Sequence, residues 1–204
     1  ILATRRRWAD AGARPEERRR PLPGDDLVPD APLVSTRAID VNAPLSVTWA
    51  WLVQIGQDRG GFYSHAWLEN LVGCRMRNAD RIVPAWQQRD VGDPVAIHPH
   101  APPLRVAAID PPRSLVLLGT PDGRPADEPP KGGGTSPGRR TRTSWAFVLE
   151  PRGPAASRLI VRTRTDWRPG LLNAALWRLF IDPGHCVMER AMMRGLARRA
   201  ASTP

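Results

Sequence analysis

The chain has 204 residues, 41% hydrophobic and 25% charged, which is the size and balance of one globular domain and excludes a wholly disordered chain or a fibrous repeat. No apolar run reaches the roughly 18 to 20 residues needed to cross a bilayer, and the opening ILATRRRWAD lacks the apolar stretch of a secretory signal, so a cytoplasmic setting with at most weak peripheral contact to anionic membrane is expected. The formal charge is +10, yet of 30 basic residues only Lys131 is lysine, and near-total arginine beside 23 prolines reads as a bias of the coding DNA rather than as a nucleic-acid reader, so no specific nucleic-acid partner is expected.

Residues 1–32 carry seven arginines and five prolines that interrupt any long helix, and are expected to form an arm outside the core, with a short helix near 5–13. The chain opens on Ile1 rather than Met, which leaves room for a preceding segment. The domain proper is expected over 33–201. Residues 33–41 (LVSTRAIDV) have the β-branched content of a first strand, and Pro44 is suited to the first position of a helix. Val47, Trp51, Leu52 and Ile55 then recur at helical spacing, which predicts a helix over 44–55 stopped by Gly56. After the Gly60-Gly61 turn, a second helix is predicted over 65–72, with Ser64 accepting from its first amides and Gly73 ending it. Strands are predicted over 95–98, 104–109 and 114–118, separated by proline-rich turns.

Residues 120–142 hold so much Pro, Gly and charge that a flexible loop insertion is expected. The clearest alternation follows. Trp145, Phe147 and Leu149 share one face of a strand over 144–150, and a strand over 158–166 sets Leu159, Val161 and Thr163 against Arg158, Ile160, Arg162 and Arg164. Residues 171–181 (LLNAALWRLFI) are apolar but too short to span a membrane; they are suited to lying on one or covering a cavity, with Asp182-Pro183-Gly184 as a break. A final helix is predicted over 185–201, with Met188, Met192, Gly195 and Leu196 inward and Arg190, Arg194 and Arg198 outward.

Cys74 and Cys186 are the only cysteines, with no CxxC, and the four histidines have no HExxH spacing, so neither a metal nor another cofactor is expected. GxSxG and phosphate-loop patterns are absent.

The coarse order fits an α+β fold. Three stretches narrow it: WAWLVQIGQDRGGFYSHAWLENLVG at 49–73, NADRIVPAWQQRDVGD at 78–93 and HCVMERAMMRGLARRA at 185–200. With these the sequence resembles bacterial members of the SRPBCC superfamily, which includes START lipid-transfer domains and polyketide cyclases, and more closely an actinobacterial branch with the pattern WLVQxGxxRGGFYSxxWLENLxG. The resemblance implies a helix-grip fold, a curved antiparallel sheet wrapped around the final helix with an apolar cavity between them.

Eight tryptophans against one tyrosine and three phenylalanines are a high indole fraction, serviceable either as plain core or as the wall of a ligand space. The expected function is binding of a hydrophobic small molecule, lipid-like or polyketide-like, without catalysis. The expected lining is Trp51, Phe62, Tyr63, Trp67, Trp86, Trp145, Phe147, Met188 and Met192, with Glu69 and Arg162 as polar anchors. One alternative is a cyclase- or dehydratase-like enzyme using Tyr63 and Glu69, which requires both groups to converge on one substrate atom. Another is an interaction protein that presents its arginine-rich arm and residues 171–181 to anionic membrane or nucleic acid.

Overall fold

The computed structural model describes residues 10–71, 73–120, 142–166 and 182–203. The expected loop at 120–142 and the apolar stretch at 171–181 lie almost or wholly outside them, as does most of the helix expected near 5–13.

The alternating segments become strands β1 (Leu33–Val41), β2 (Pro94–Val95), β3 (Leu104–Asp110), β4 (Ser114–Gly119), β5 (Thr143–Pro151) and β6 (Ser157–Thr165). They form one sheet in the order β1-β6-β5-β4-β3-β2, every neighbouring pair antiparallel. Helices are α1 (Pro15–Arg19), α2 (Leu45–Val53), α3 (Ala66–Leu71) and α4 (Asp182–Ala201), with a 3-10 turn at Pro84–Trp86. The architecture is α+β, with the long C-terminal helix packed on one face of the antiparallel sheet, the helix-grip arrangement. No helix among the described residues is long and apolar enough to cross a membrane.

Several boundaries differ from expectation for local reasons. β2 stops after Val95 instead of reaching residue 98, because the chain turns at 98–101, where the Ala101 amide donates to the His98 carbonyl and Pro99 has no amide to offer. Helix α4 starts at Asp182, three residues early, since proline is tolerated in a first turn whose amides need no intrahelical partner. The Ser64 hydroxyl does not cap α3; it donates to the Glu69 carboxylate at 2.5 Å.

Period-two alternation gives the sheet two distinct faces. On the inner face Phe147, Leu149, Leu159 and Val161 pack with Trp51, Leu52 and Ile55 from α2 and its end, and with Met192, Met193 and Leu196 of α4, in a single buried cluster. Arg89 closes the end of α2: its Nε donates to the Val53 carbonyl at 3.0 Å and its Nη2 to the Ile55 carbonyl at 2.7 Å. Burial, helped by the charge of Arg59, lowers that guanidinium to about 10.

The outer face carries Arg158, Arg162 and Arg164, and the N-terminal segment is docked across it. The expected arm is corrected here: Leu22 and Val28 are buried, and Leu22 packs on Ala38, Val148 and Ile160. Arg158 grips the Glu17 carboxylate with two nitrogens at 2.7 and 2.9 Å and reaches Asp40 at 3.0 Å and the Gly12 carbonyl at 2.8 Å. Arg162 donates to Thr36, Asp25 and the carbonyls of Glu17, Arg18 and Arg20 at 2.6 to 3.1 Å. Arg164 continues the series to the carbonyls of Val28 and Pro29. A planar guanidinium suits such a role because its five donors can satisfy several carbonyls at once. Burial by itself would raise the Glu17 carboxyl, but hydrogen bonds from Arg158 and the Arg14 amide, with the Arg158 charge, hold it below its ordinary value.

Candidate functional site

Tyr63 organises one side of the molecule. It occupies the left-handed region at φ 58°, a conformation uncommon for any residue but glycine, asparagine or aspartate, and it is 2% exposed. The surroundings compensate for that backbone. The Tyr63 amide donates to the Asn78 side-chain oxygen at 2.7 Å, and the Asn78 amide group donates to the Ser64 carbonyl at 3.0 Å. The Tyr63 hydroxyl donates to the Trp51 carbonyl at 2.9 Å, the two rings meet edge to face at 5.6 Å, and the Arg199 guanidinium lies 5.0 Å from the phenol centroid. Burial pushes the phenol above its ordinary value, so it stays protonated. Gly195 of α4 sits directly against this turn: a Cβ there would lie 1.9 Å from the Tyr63 carbonyl oxygen.

That close approach leaves a groove along the flank of α4, about 520 Å³ in volume. Ile39 of β1 and α4 residues Val187, Ala191 and Ala197 supply its apolar surface. Tyr63, Ser64 and His65 form one wall, and Arg190, Arg194 and Arg198 stand along the helix rim. A smaller depression of about 190 Å³ shares Ile39, Arg190 and Arg194 with it and continues toward Ala11 and Gly12 beside β1. The groove is open to solvent and runs between the flank of α4 and β1 at the edge of the sheet.

The expected ligand-lining residues are divided by the structure. Trp51, Phe62, Tyr63, Phe147 and Met192 are brought together but are 0–7% exposed, as members of the central cluster. Trp145 is half-buried at the edge of that cluster, 4.8 Å from the Phe147 ring and 5.7 Å from Phe62, and its indole nitrogen donates to Glu189 at 2.9 Å. Trp67 is 66% exposed on α3 and does not line an interior space; a six-residue helix with no buried side chain turns it to solvent. Trp86 and Met188 are half-buried and stand outside the cluster. Arg162 is a correction: it lies on the sheet face opposite α4, committed to the N-terminal segment.

Glu69 is half-buried, with one carboxylate oxygen held by Ser64 and the other without a partner among the described residues. Burial raises its carboxyl, offset in part by Ser64 and the charge of His65. Tyr63 and Glu69 are therefore each committed to a different protein group, the Trp51 carbonyl and Ser64, and no shared acid–base point joins them. No group of three or more His, Cys, Asp or Glu among the described residues could hold a metal ion.

Sequence reasoning missed two features. Arg37 and Glu189 form a fully buried ion pair between β1 and α4, with Trp145 and Thr163 also donating to Glu189. The second is the groove rim. Arg190, Arg194 and Arg198 read as an ordinary solvated helix face, and the available signal was that this stripe repeats arginine every four residues without the acidic partners that usually accompany it.

No family model and no curated protein matches the sequence. Among solved structures, similarity extends to the self-sacrificing resistance protein CalC from Micromonospora echinospora, with 12% identity over 83% of this chain and 97% of that one and a TM-score of 0.46. It extends also to protein MLL2253 from Mesorhizobium loti, with 16% identity over 83% and 98% and a TM-score of 0.44. A third, the polyketide-cyclase-like protein Cgl2372 from Corynebacterium glutamicum, has 15% identity over 83% and 87% and a TM-score of 0.35.

Proposed function

We propose that the protein is a noncatalytic binding module for a hydrophobic small molecule, held in the groove between α4, the end of β1 and the 63–65 turn. One observation carries the reading: a concavity of about 520 Å³ with an apolar floor of Ile39, Val187, Ala191 and Ala197, within the roughly 300 to 1,000 Å³ typical of small-molecule sites. Two of the aromatic residues expected to line an interior cavity back this site instead. Trp51 and Phe147 fill the core on which α4 and Tyr63 rest, so the groove wall is backed by rigid packing. Tyr63, clamped by Asn78, Trp51, Arg199 and Gly195, keeps that wall in place without titrating.

The test is titration with an uncharged fluorescent probe, the methyl ester of 11-(dansylamino)undecanoic acid, against wild type and Ala191→Trp, which places an indole on the groove floor. Saturable binding to wild type and its loss in Ala191→Trp is the expected result. Saturable binding unchanged by Ala191→Trp, or no binding to wild type, overturns the assignment.

A further inference from the structure

Resting on the reading of the groove as a small-molecule site, we infer that its occupant carries an oxyanion: a single-chain amphiphile whose tail lies on Ile39, Ala191 and Ala197 and whose carboxylate, phosphate or sulfate head is gripped from the α4 rim. Three observations point there. First, Arg190, Arg194 and Arg198 stand four residues apart, so they form one row about 12 Å long at 1.5 Å rise per residue, all lining the same groove. Second, neither the groove nor the adjoining depression has an aspartate or glutamate in its lining. The carboxylates close in sequence to the lining are engaged elsewhere, Asp40 with Arg158, Glu189 with Arg37 and Trp145 inside the core, and Glu69 with Ser64.

Third, the contrast with the rest of the chain is sharp. Arg37, Arg158 and Arg162 are buried and paired with carboxylates, whereas no ion pair among the described residues engages Arg190, Arg194 or Arg198. A row of guanidinium groups with no carboxylate partner among the described residues raises the local positive potential over an apolar floor, and each fork matches the geometry of an oxyanion. A neutral guest leaves this potential unused and a cationic guest opposes it. The smaller depression, lined by Arg37, Arg190 and Arg194, gives the head room at that end, while Val187 and Ala191 extend apolar contact along the helix.

The test compares 11-(dansylamino)undecanoic acid with its methyl ester, which share a chain and differ in head charge, and compares dodecanoate, dodecyl phosphate and dodecyl sulfate as competitors to separate the sources of the oxyanion. Wild type at low salt should bind the acid at least tenfold more tightly than the ester, and the preference should shrink in 0.5 M salt. Arg194→Glu/Arg198→Glu, two exposed positions on the rim, should bring the acid-to-ester affinity ratio to one or below, a ratio in which any change in ester affinity cancels. Displacement by one or more of the three competitors identifies the head class. Equal binding of acid and ester by wild type, or an acid preference that survives the double charge reversal, overturns this inference and leaves the small-molecule site standing. Failure of the ester to bind wild type removes the site itself, whatever the acid does.

Discussion

The contact between Gly195 and Tyr63 makes a prediction whose sign opposes helix propensity. In a helix interior, glycine to alanine ordinarily gains about 1 kcal/mol, because alanine loses less backbone entropy and exposes less of the backbone. At Gly195 the new methyl would lie 1.9 Å from the Tyr63 carbonyl oxygen and 2.9 Å from its carbonyl carbon, about 1.5 Å short of ordinary van der Waals contact. The obstacle is backbone, not a side chain that can swing away, and that backbone is fixed by Asn78 and the Tyr63 hydroxyl. Overpacking of this kind costs about 1 to 3 kcal/mol or more, and disturbing the buried hydroxyl bond adds to it, so Gly195→Ala should lose about 2 to 4 kcal/mol net. For a chain of this length that lowers Tm by about 4 to 16 °C. Gly184 is the internal control: it lies in the same helix, a Cβ there meets nothing within 4 Å, and Gly184→Ala should be neutral or stabilising by up to about 1 kcal/mol. Urea denaturation followed by tryptophan fluorescence and far-UV circular dichroism measures both. If Gly195→Ala is as stable as Gly184→Ala, the close approach of α4 to the 63–65 turn is wrong, and with it the shape of the groove.

Two further outcomes test the other charged sites. Arg162→Met removes the guanidinium that serves Asp25, Thr36 and three carbonyls, so it should cost about 3 to 5 kcal/mol and accelerate tryptic cleavage after Arg18 and Arg19; a change in Tm under about 2 °C with an unaltered cleavage pattern would refute the docked outer layer. Glu69 has its carboxyl raised by burial, so below the ordinary carboxylate range, near ~4.3, it is protonated in folded and unfolded chains alike and costs nothing. As pH rises from there toward the raised folded value, the unfolded chain releases its proton first and stability is lost. Glu69→Gln should therefore match wild type at the acid end, gain on it as pH rises through the raised folded value and hold a constant advantage above it, and a difference independent of pH in paired urea melts would contradict the burial of that carboxyl.

How far the fold could be read from residues depends on whether one periodicity governed each segment. β1 emerges at 33–41 as expected, β5 and β6 match in facing and to within a residue at each end, and α4 buries Met192, Gly195 and Leu196 as expected although it starts three residues early and leaves Met188 outside the core, because each is long enough for alternation or a helical stripe to show. Period two separates Arg158, Arg162 and Arg164 from Leu159 and Val161, but it cannot say whether the arginine face meets water or another layer. The carboxylates that answer, Glu17 and Asp25, lie 141 and 137 residues away in sequence. A legible sign of docking was present in PEERR, where Pro15 begins a helix and Glu17 caps it through the Arg14 amide at 2.7 Å. Trp67 failed for the opposite reason: α3 is too short to define a buried face. Tyr63 stands out in the sequence as the sole phenol beside a double glycine, but its positive φ and its contact with Gly195 arise from tertiary packing across more than 130 residues, which no local pattern encodes.

The same reasoning changes the meaning of the net charge. A value of +10 suggests a molecule surrounded by available cations, yet many of its arginines act inside the structure. Arg89 serves the end of α2, Arg37 is paired with Glu189, Arg158, Arg162 and Arg164 hold the N-terminal segment, and Arg199 packs on Tyr63 while donating to the Ala79 carbonyl at 2.8 Å. Lysine could not replace most of these, since each uses several directed donors rather than a point charge. Coding bias can supply arginine, but it cannot choose which arginines acquire carbonyl and carboxylate partners. The guanidinium groups of Arg190, Arg194 and Arg198 differ in being gathered on one helix flank, beside an apolar concavity, without acidic neighbours in its lining. Salt sensitivity of binding should accordingly track this row of three, not the formal charge of the whole chain.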